Sequence, residues 1–254
     1  MCTIGSVVEP GSVLTFKQCD LAFPTRFLAP EIRRGPTGIR YLAFTREGAR
    51  GPWAGVNERG VGFVAADAYL DAEATAALGP AGDPLEGYAS IVAEHASAEA
   101  AVERMIDFYG ERGAPDILLV SDLEGAFLVE YSPRSGARVA RRDEGYLVAT
   151  NHYRMLPGGV DFDDDPSTHL RLARAEEMLD ADPGLGGIHA LLQDQHFGET
   201  ALSICRIADL PGAHYTQATV IFRATSGRVD VSYQLNGNPR TAVLTEAEDV
   251  FRTR

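Results

Sequence analysis

Cysteine is scarce. Cys2, Cys19 and Cys205 are the only three in 254 residues, and an odd, widely spaced set excludes a disulfide framework and points to a reducing compartment. Positive charge is also short: 23 lysines and arginines face 36 aspartates and glutamates, giving a net charge of -13 and a pI near 4.9. Such a surface repels polyanions, so nucleic acid is not expected as a partner. No run of about 18 apolar residues is present to span a bilayer, and no basic leader precedes an apolar stretch. A membrane partner is therefore not expected, and the expected location is cytoplasmic. Metal signatures are missing too. His152, His189, His196 and His214, four of the six histidines, form no H-E-x-x-H motif and join no C-x-x-C pair. The acidic run at 161–165, DFDDD, lacks the alternating ligands of a calcium loop, and the glycines of GVNERGVG do not stand as G-x-G-x-x-G. Neither a metal nor a cofactor is expected.

What is present has the balance of a globular chain, 45% hydrophobic and 23% charged, long enough to form a sizeable core in a single domain over residues 1–254. Period-two apolar patterns in CTIGSVV, SVLTF, GIRYLAF, VGFVAAD, DILLVSD, AFLVEYS, ATVIFRA and RVDVSYQL predict strands. EPGS, DLEG and PRSG predict the turns of hairpins, and a further turn is expected over 236–239. Between the strands, 86–113 predicts two helices, the second capped by Ser97 and ended by Gly113 and Pro115. STHLRLARAEEML, capped by Ser167 or Asp165, and GGIHALLQDQ predict two more. Hairpins without repeated crossovers point to an α+β fold in which helices cover packed antiparallel sheets.

The start of the chain carries the chemistry. If Met1 is trimmed by methionine aminopeptidase, Cys2 presents a thiol and a free α-amine on one Cα. The amine, with an ordinary pKa of about 7.7 to 8.0, can take the thiol proton and later return it to a leaving amine. The EPGS turn folds VLTFKQCDLAF back along the first strand, bringing Lys17 and Asp20 toward Cys2. Lys17 would lower the thiol pKa through its charge, and Asp20 would hold the ammonium. The other two cysteines read as small buried hydrophobes, Trp53 as core packing, and the acidic run as a solvated lead into a helix.

Cys2, KQCD, WAGVNERGVGFVAAD, VATNHY and SICRI occur in the order found in N-terminal-nucleophile hydrolases of the choloylglycine hydrolase and isopenicillin N acyltransferase-like group. TNHY, the STHLRLARAEEML helix and SICRI are similar to the acyltransferase-like branch, and the resemblance spans nearly the whole chain. It implies a four-layer αββα sandwich and cleavage of a linear, non-peptide amide through a thioester. By that resemblance Cys2 is nucleophile and base, Asp20 binds the amine, Asn151 donates to the oxyanion, and Arg206 stabilises the surroundings of the nucleophile. Two positions depart from the pattern. Lys17 stands where many bile salt hydrolases have arginine, and Asp67 aligns with an oxyanion-hole asparagine although a carboxylate cannot donate unless protonated. His152 and Tyr69 are expected on the substrate side. The expected ligand is a small acylated amine or amino acid. Acyl transfer to an amine acceptor and a catalytically silent small-molecule binder stand as alternatives, and a homo-oligomer is left open.

Overall fold

The computed structural model describes residues 1–78, 82–207, 214–238, 240 and 244–252. The first hairpin sets the frame. Strand β1 (Cys2–Glu9) turns through Pro10 and Gly11, the latter at φ +77°, into β2 (Ser12–Leu21), a two-residue loop that locks Glu9 opposite Ser12 and Cys2 opposite Cys19. On the other side of β1 lies β10 (Gly145–Ala149), and β2 continues into β11 (Tyr215–Thr225), β12 (Arg228–Leu235) and β13 (Thr245–Ala247), giving a six-stranded antiparallel sheet. The second sheet is a meander of seven: β3 (Glu31–Arg34), β4 (Arg40–Phe44), β5 (Ala54–Asn57), β6 (Gly62–Ala66), β7 (Asp116–Asp122), β8 (Gly125–Ser132) and β9 (Gly136–Arg142). Asp122 pairs with Gly125 and Ser132 with Gly136, so the DLEG and PRSG turns form the expected hairpins.

The sheets pack face to face around Ile4, Phe44, Val64, Leu119, Val220 and Phe222. Outside the seven-stranded sheet lie α2 (Leu85–Glu94) and α3 (Ala98–Arg112), burying Ile91, Met105 and Tyr109 against Phe63 and Leu118. Outside the six-stranded sheet, α4 (Pro166–Ala181) and α5 (Leu185–Leu192) bury Leu179, Ile188 and Leu191 against Phe16 and Ile221. The order is helix, sheet, sheet, helix: the expected αββα sandwich. Each fully buried Leu, Ile or Phe in these layers contributes roughly 1.5 to 3 kcal/mol. A short helix, α1 (Ala72–Ala76), sits after β6.

Local signals hold at the helix ends. The Ser97 side chain accepts from the Ala100 amide, and Gly113 closes α3 at φ +67°. Of the two cap residues expected for α4, Asp165 serves, and Ser167 is drawn into a buried polar cluster instead. The strands differ from a simple alternating pattern. All seven residues of β7 and all eight of β8 are buried, because a central sheet of a four-layer fold is covered on both faces. Polar residues trapped there find partners, as Thr15 Oγ1 and Ser121 Oγ do at 2.5 Å across the two sheets. Strands β3, β5, β9 and β10 escape the apolar pattern, being short, charged or glycine-containing. Of the turn expected over 236–239, Asn236 takes φ +58°, while position 239 lies outside the described residues. Among the described residues, no helix is long and apolar enough to cross a membrane.

Candidate active site

Strand register builds the site around Cys2. Met1 and Asp20 exchange backbone hydrogen bonds in both directions, the Met1 amine to Asp20 O at 2.7 Å and Asp20 N to Met1 O at 2.9 Å. The N–H and C=O of Cys2 therefore point away from β2, toward the line of β10. That strand pairs only as far as Ile4 with Ala149, and continuing its register places Asn151 opposite Cys2. There side chains replace the ladder. Cys2 N donates to Asn151 Oδ1 at 2.8 Å, and Arg171 Nη1, from the inner face of α4, donates to Cys2 O at 2.5 Å. Arg171 also donates to Asn151 Oδ1 at 3.0 Å and Thr3 Oγ1 at 3.1 Å. Asn151 Nδ2 gives one proton to the Asp67 carbonyl at 2.8 Å, and an amide nitrogen carries a second.

Lys17 and Asp20 stand three apart on β2 and so face opposite layers. Lys17 shares its face with Cys2 and Cys19, between the sheets. It is the only lysine in the chain; its Nζ donates to Ala65 O at 2.6 Å and lies 5.3 Å from the Trp53 ring centroid. Asp20 faces the helix layer with Arg206. Its Oδ1 accepts from Thr216 Oγ1 at 2.8 Å, while Oδ2, fully buried, lies 3.3 Å from Arg206 Nε without a hydrogen-bond donor. The amine that meets Asp20 here is that of Met1, and it binds the backbone carbonyl, not the carboxylate. The Met1 side chain lies over the same cluster, with Sδ 3.0 Å from Arg206 Nη1 and 3.9 Å from Ser167 Oγ.

The thiol of Cys2 is lowered from its ordinary value to about 5. The hydrogen bond from the Cys19 thiol is the main cause, burial opposes it, and the Lys17 charge adds to the lowering. Cys19 moves the other way, well above a usual thiol, because it supplies that hydrogen bond and is itself buried. Burial alone would lower the Lys17 ammonium, but Cys2, Cys19 and Asp67 outweigh it and the net shift is upward. Of the two thiols, ionisation is favoured at Cys2 and disfavoured at Cys19, with a cation beside them.

Cys2, Lys17, Cys19 and Asp67 line one cavity of about 150 Å³, walled by Trp53 and Tyr88 and edged by Arg46 and Asp83. Asp67 is exposed at this cavity and touches Asn151 through its carbonyl, not its carboxylate. Tyr69 is half-buried and does not line the cavity; its backbone N–H donates to Asn151 O at 2.6 Å, fixing the segment that holds the asparagine. His152 turns away. Its ring stacks on His169 with centroids 3.8 Å apart, and Nδ1 lies 3.0 Å from Thr168 Oγ1. Burial, with His169 next, lowers it to about 4, so it is neutral at neutral pH.

No family model and no curated protein sequence matches the chain. Solved structures do. The C2A mutant of conjugated bile acid hydrolase from Clostridium perfringens is 13% identical, with a TM-score of 0.59 over 98% of this chain and 92% of that one. The Caenorhabditis elegans ortholog of N-acylethanolamine-hydrolyzing acid amidase is also 13% identical, with a TM-score of 0.59 over 87% of this chain and 92% of that one. The chain has the N-terminal-nucleophile hydrolase fold. At that identity the likeness is one of architecture, and the chemistry has to be argued from this chain's own residues.

On that fold, two residues that motif reading passed over stand in contact with the site. Arg171 is an unremarkable helical arginine in sequence, yet it is fully buried, holds Cys2 and Asn151 together, and is lowered to about 10 by burial and by Arg206. Cys19 reads as a buried hydrophobe but is the main influence lowering the Cys2 thiol. A signal existed for Cys19 alone: in a two-residue hairpin, positions summing to 21 face each other, and 2 and 19 do.

Proposed function

We propose that this chain is an N-terminal cysteine amidohydrolase that cleaves the linear C–N amide bond of a small acylated amine or amino acid, through a thioester, after removal of Met1. The observation that carries the reading is the second residue itself: a thiol lowered to about 5, on the wall of a cavity, with the Asn151 carboxamide bonded to its own main-chain nitrogen.

With Met1 gone, the nitrogen now bonded to Asn151 Oδ1 becomes an α-amine, and Asp20 Oδ2, ion-paired with Arg206 but without a hydrogen bond, is the buried carboxylate oxygen proposed to accept from it. The Cys2 sulfur attacks the acyl carbon, and the second N–H of Asn151 Nδ2 stabilises the oxyanion. The amine hands its proton to the leaving nitrogen, and water then resolves the thioester. Cys19, and after it Lys17, favour the ionised sulfur, and Arg171 keeps Cys2 and Asn151 in register.

Two features bear on the substrate. A cavity of about 150 Å³ is of the size that holds benzene, so the group bound beside Cys2 is small. At its edge the Arg46 guanidinium makes no ion pair or hydrogen bond among the described residues, leaving it available for a carboxylate, as an N-acylated amino acid would present. The test is a panel of small N-acyl amines and N-acyl amino acids, read by product release and by intact mass of trapped acyl-enzyme. Acylation of Cys2 only in protein lacking Met1 supports the reading; acylation at Cys19 or Cys205, or none with any member, ends it.

A further inference from the structure

Cys19 is not needed as a nucleophile in the reaction proposed above, yet its position is not that of a bystander. Because Met1 and Asp20 form a hydrogen-bonded pair, the next pair along, Cys2 and Cys19, is a non-hydrogen-bonded one. Such pairs bring opposed side chains closest, with Cα atoms about 4.5 Å apart, inside the range a disulfide can bridge. The two side chains share one face of the sheet and both line the cavity. Neither strand can slip, since the register runs unbroken from Cys2 opposite Cys19 to Glu9 opposite Ser12 and ends in the Pro10–Gly11 turn. Cys205, on the segment before β11, lies with Sγ 3.6 Å from Asn238 Oδ1 and does not line this cavity.

We propose that Cys2 and Cys19 form a hydroperoxide-reactive dithiol that closes reversibly into a disulfide between β1 and β2. The Cys2 thiolate attacks one oxygen of the hydroperoxide; an S–O bond forms, the O–O bond breaks, and the departing hydroxide or alkoxide takes a proton, leaving a sulfenic acid. Cys19 sulfur then attacks the Cys2 sulfur, forming the S–S bond as the S–O bond breaks, and the Cys19 proton leaves with the hydroxyl as water. Two thiols lose two electrons, and one hydroperoxide is reduced to water, or to an alcohol, with a second water released. A dithiol reductant reverses the bridge. The cavity has room for a small hydroperoxide, and closure removes the sulfur required for the proposed amide cleavage.

The two cysteines lie on either side of Lys17, so trypsin separates them and a bridge is read directly as linked peptides. The full-length protein is treated with hydrogen peroxide, alkylated without reductant and digested. The expected result is a linked pair containing Cys2 and Cys19, a mass lower by two hydrogens, and recovery of both free thiols with dithiothreitol. In Cys19→Ala, checked for folding by circular dichroism, the bridge is lost and Cys2 proceeds to sulfinic acid, which dithiothreitol does not reverse. Cys205→Ala retains the bridge. Sulfinic acid at Cys2 forming equally in wild type and Cys19→Ala, or a bridge involving Cys205, overturns the proposal. The readout is mass, independent of amide turnover, so failure of the amidase reading and failure of the dithiol are separable.

Discussion

Cys2 and Cys205 are the same residue in settings of nearly equal burial, 3% and 0% exposed, and they are driven in opposite directions. Burial, with Asp20 next, pushes Cys205 up to about 12, which keeps its thiol protonated at neutral pH. Desolvation raises Cys2 as well, yet it falls to about 5, because Cys19 and then the Lys17 charge stabilise its anion. Burial thus says little about whether a cysteine reacts; the partners on its own face of the sheet decide it.

The comparison breaks most sharply at the proposed nucleophile. In protein freed of Met1, Cys2→Ala is expected to abolish amide turnover, a loss of about 10⁵-fold or more by analogy with removal of other covalent nucleophiles, while Cys205→Ala retains the wild-type rate. Steady-state hydrolysis of the best panel substrate checks both. Next in size, Asn151→Ala removes the proposed oxyanion donor and is expected to lower kcat by about 10²- to 10³-fold. Its effect on KM should be much smaller, since the donor acts on charge that develops only in the transition state.

The electrostatic half of the comparison is read by alkylation rate against pH. Wild-type Cys2 should lose reactivity as pH falls through about 5, where its thiolate is protonated. Because the lowering comes first from Cys19 and then from Lys17, the midpoint should move upward in Cys19→Ala and, by less, in Lys17→Met. A midpoint unmoved by either variant would place the cause elsewhere. Smallest, Lys17→Met leaves the Ala65 carbonyl without its side-chain donor and should cost about 1 to 3 kcal/mol of stability in a denaturant melt.

How much of this could be read along the chain depends on the distance over which each feature forms. The β1–β2 hairpin, the Ser97 and Gly113 ends of α3 and the DLEG turn are local, each set by a few adjacent residues, and they stand where pattern and turn chemistry place them. The approach of Lys17 to Cys2 is legible for the same reason. His152 illustrates the limit: its neighbour in sequence, Asn151, meets Cys2, but alternation sends the imidazole to α4. Arg171 was illegible because nothing in an amphipathic helix marks the residue that will reach across the end of a strand.

By itself, then, the amino-acid order determined the strands, the helices, the hairpin that sets position 2 against position 19, and a thiol one residue from the start. Only the assembled sandwich decided that Asn151, 149 residues away, completes the ladder beside Cys2, that one buried arginine lies against Cys2 and another against Met1 and Asp20, and that ionisation is favoured at Cys2 and disfavoured at Cys205. The reason is physical: hairpins and caps rest on short-range geometry, whereas a pKa and a cavity depend on desolvation and charge summed over groups that only the packing of two sheets and four helices brings together.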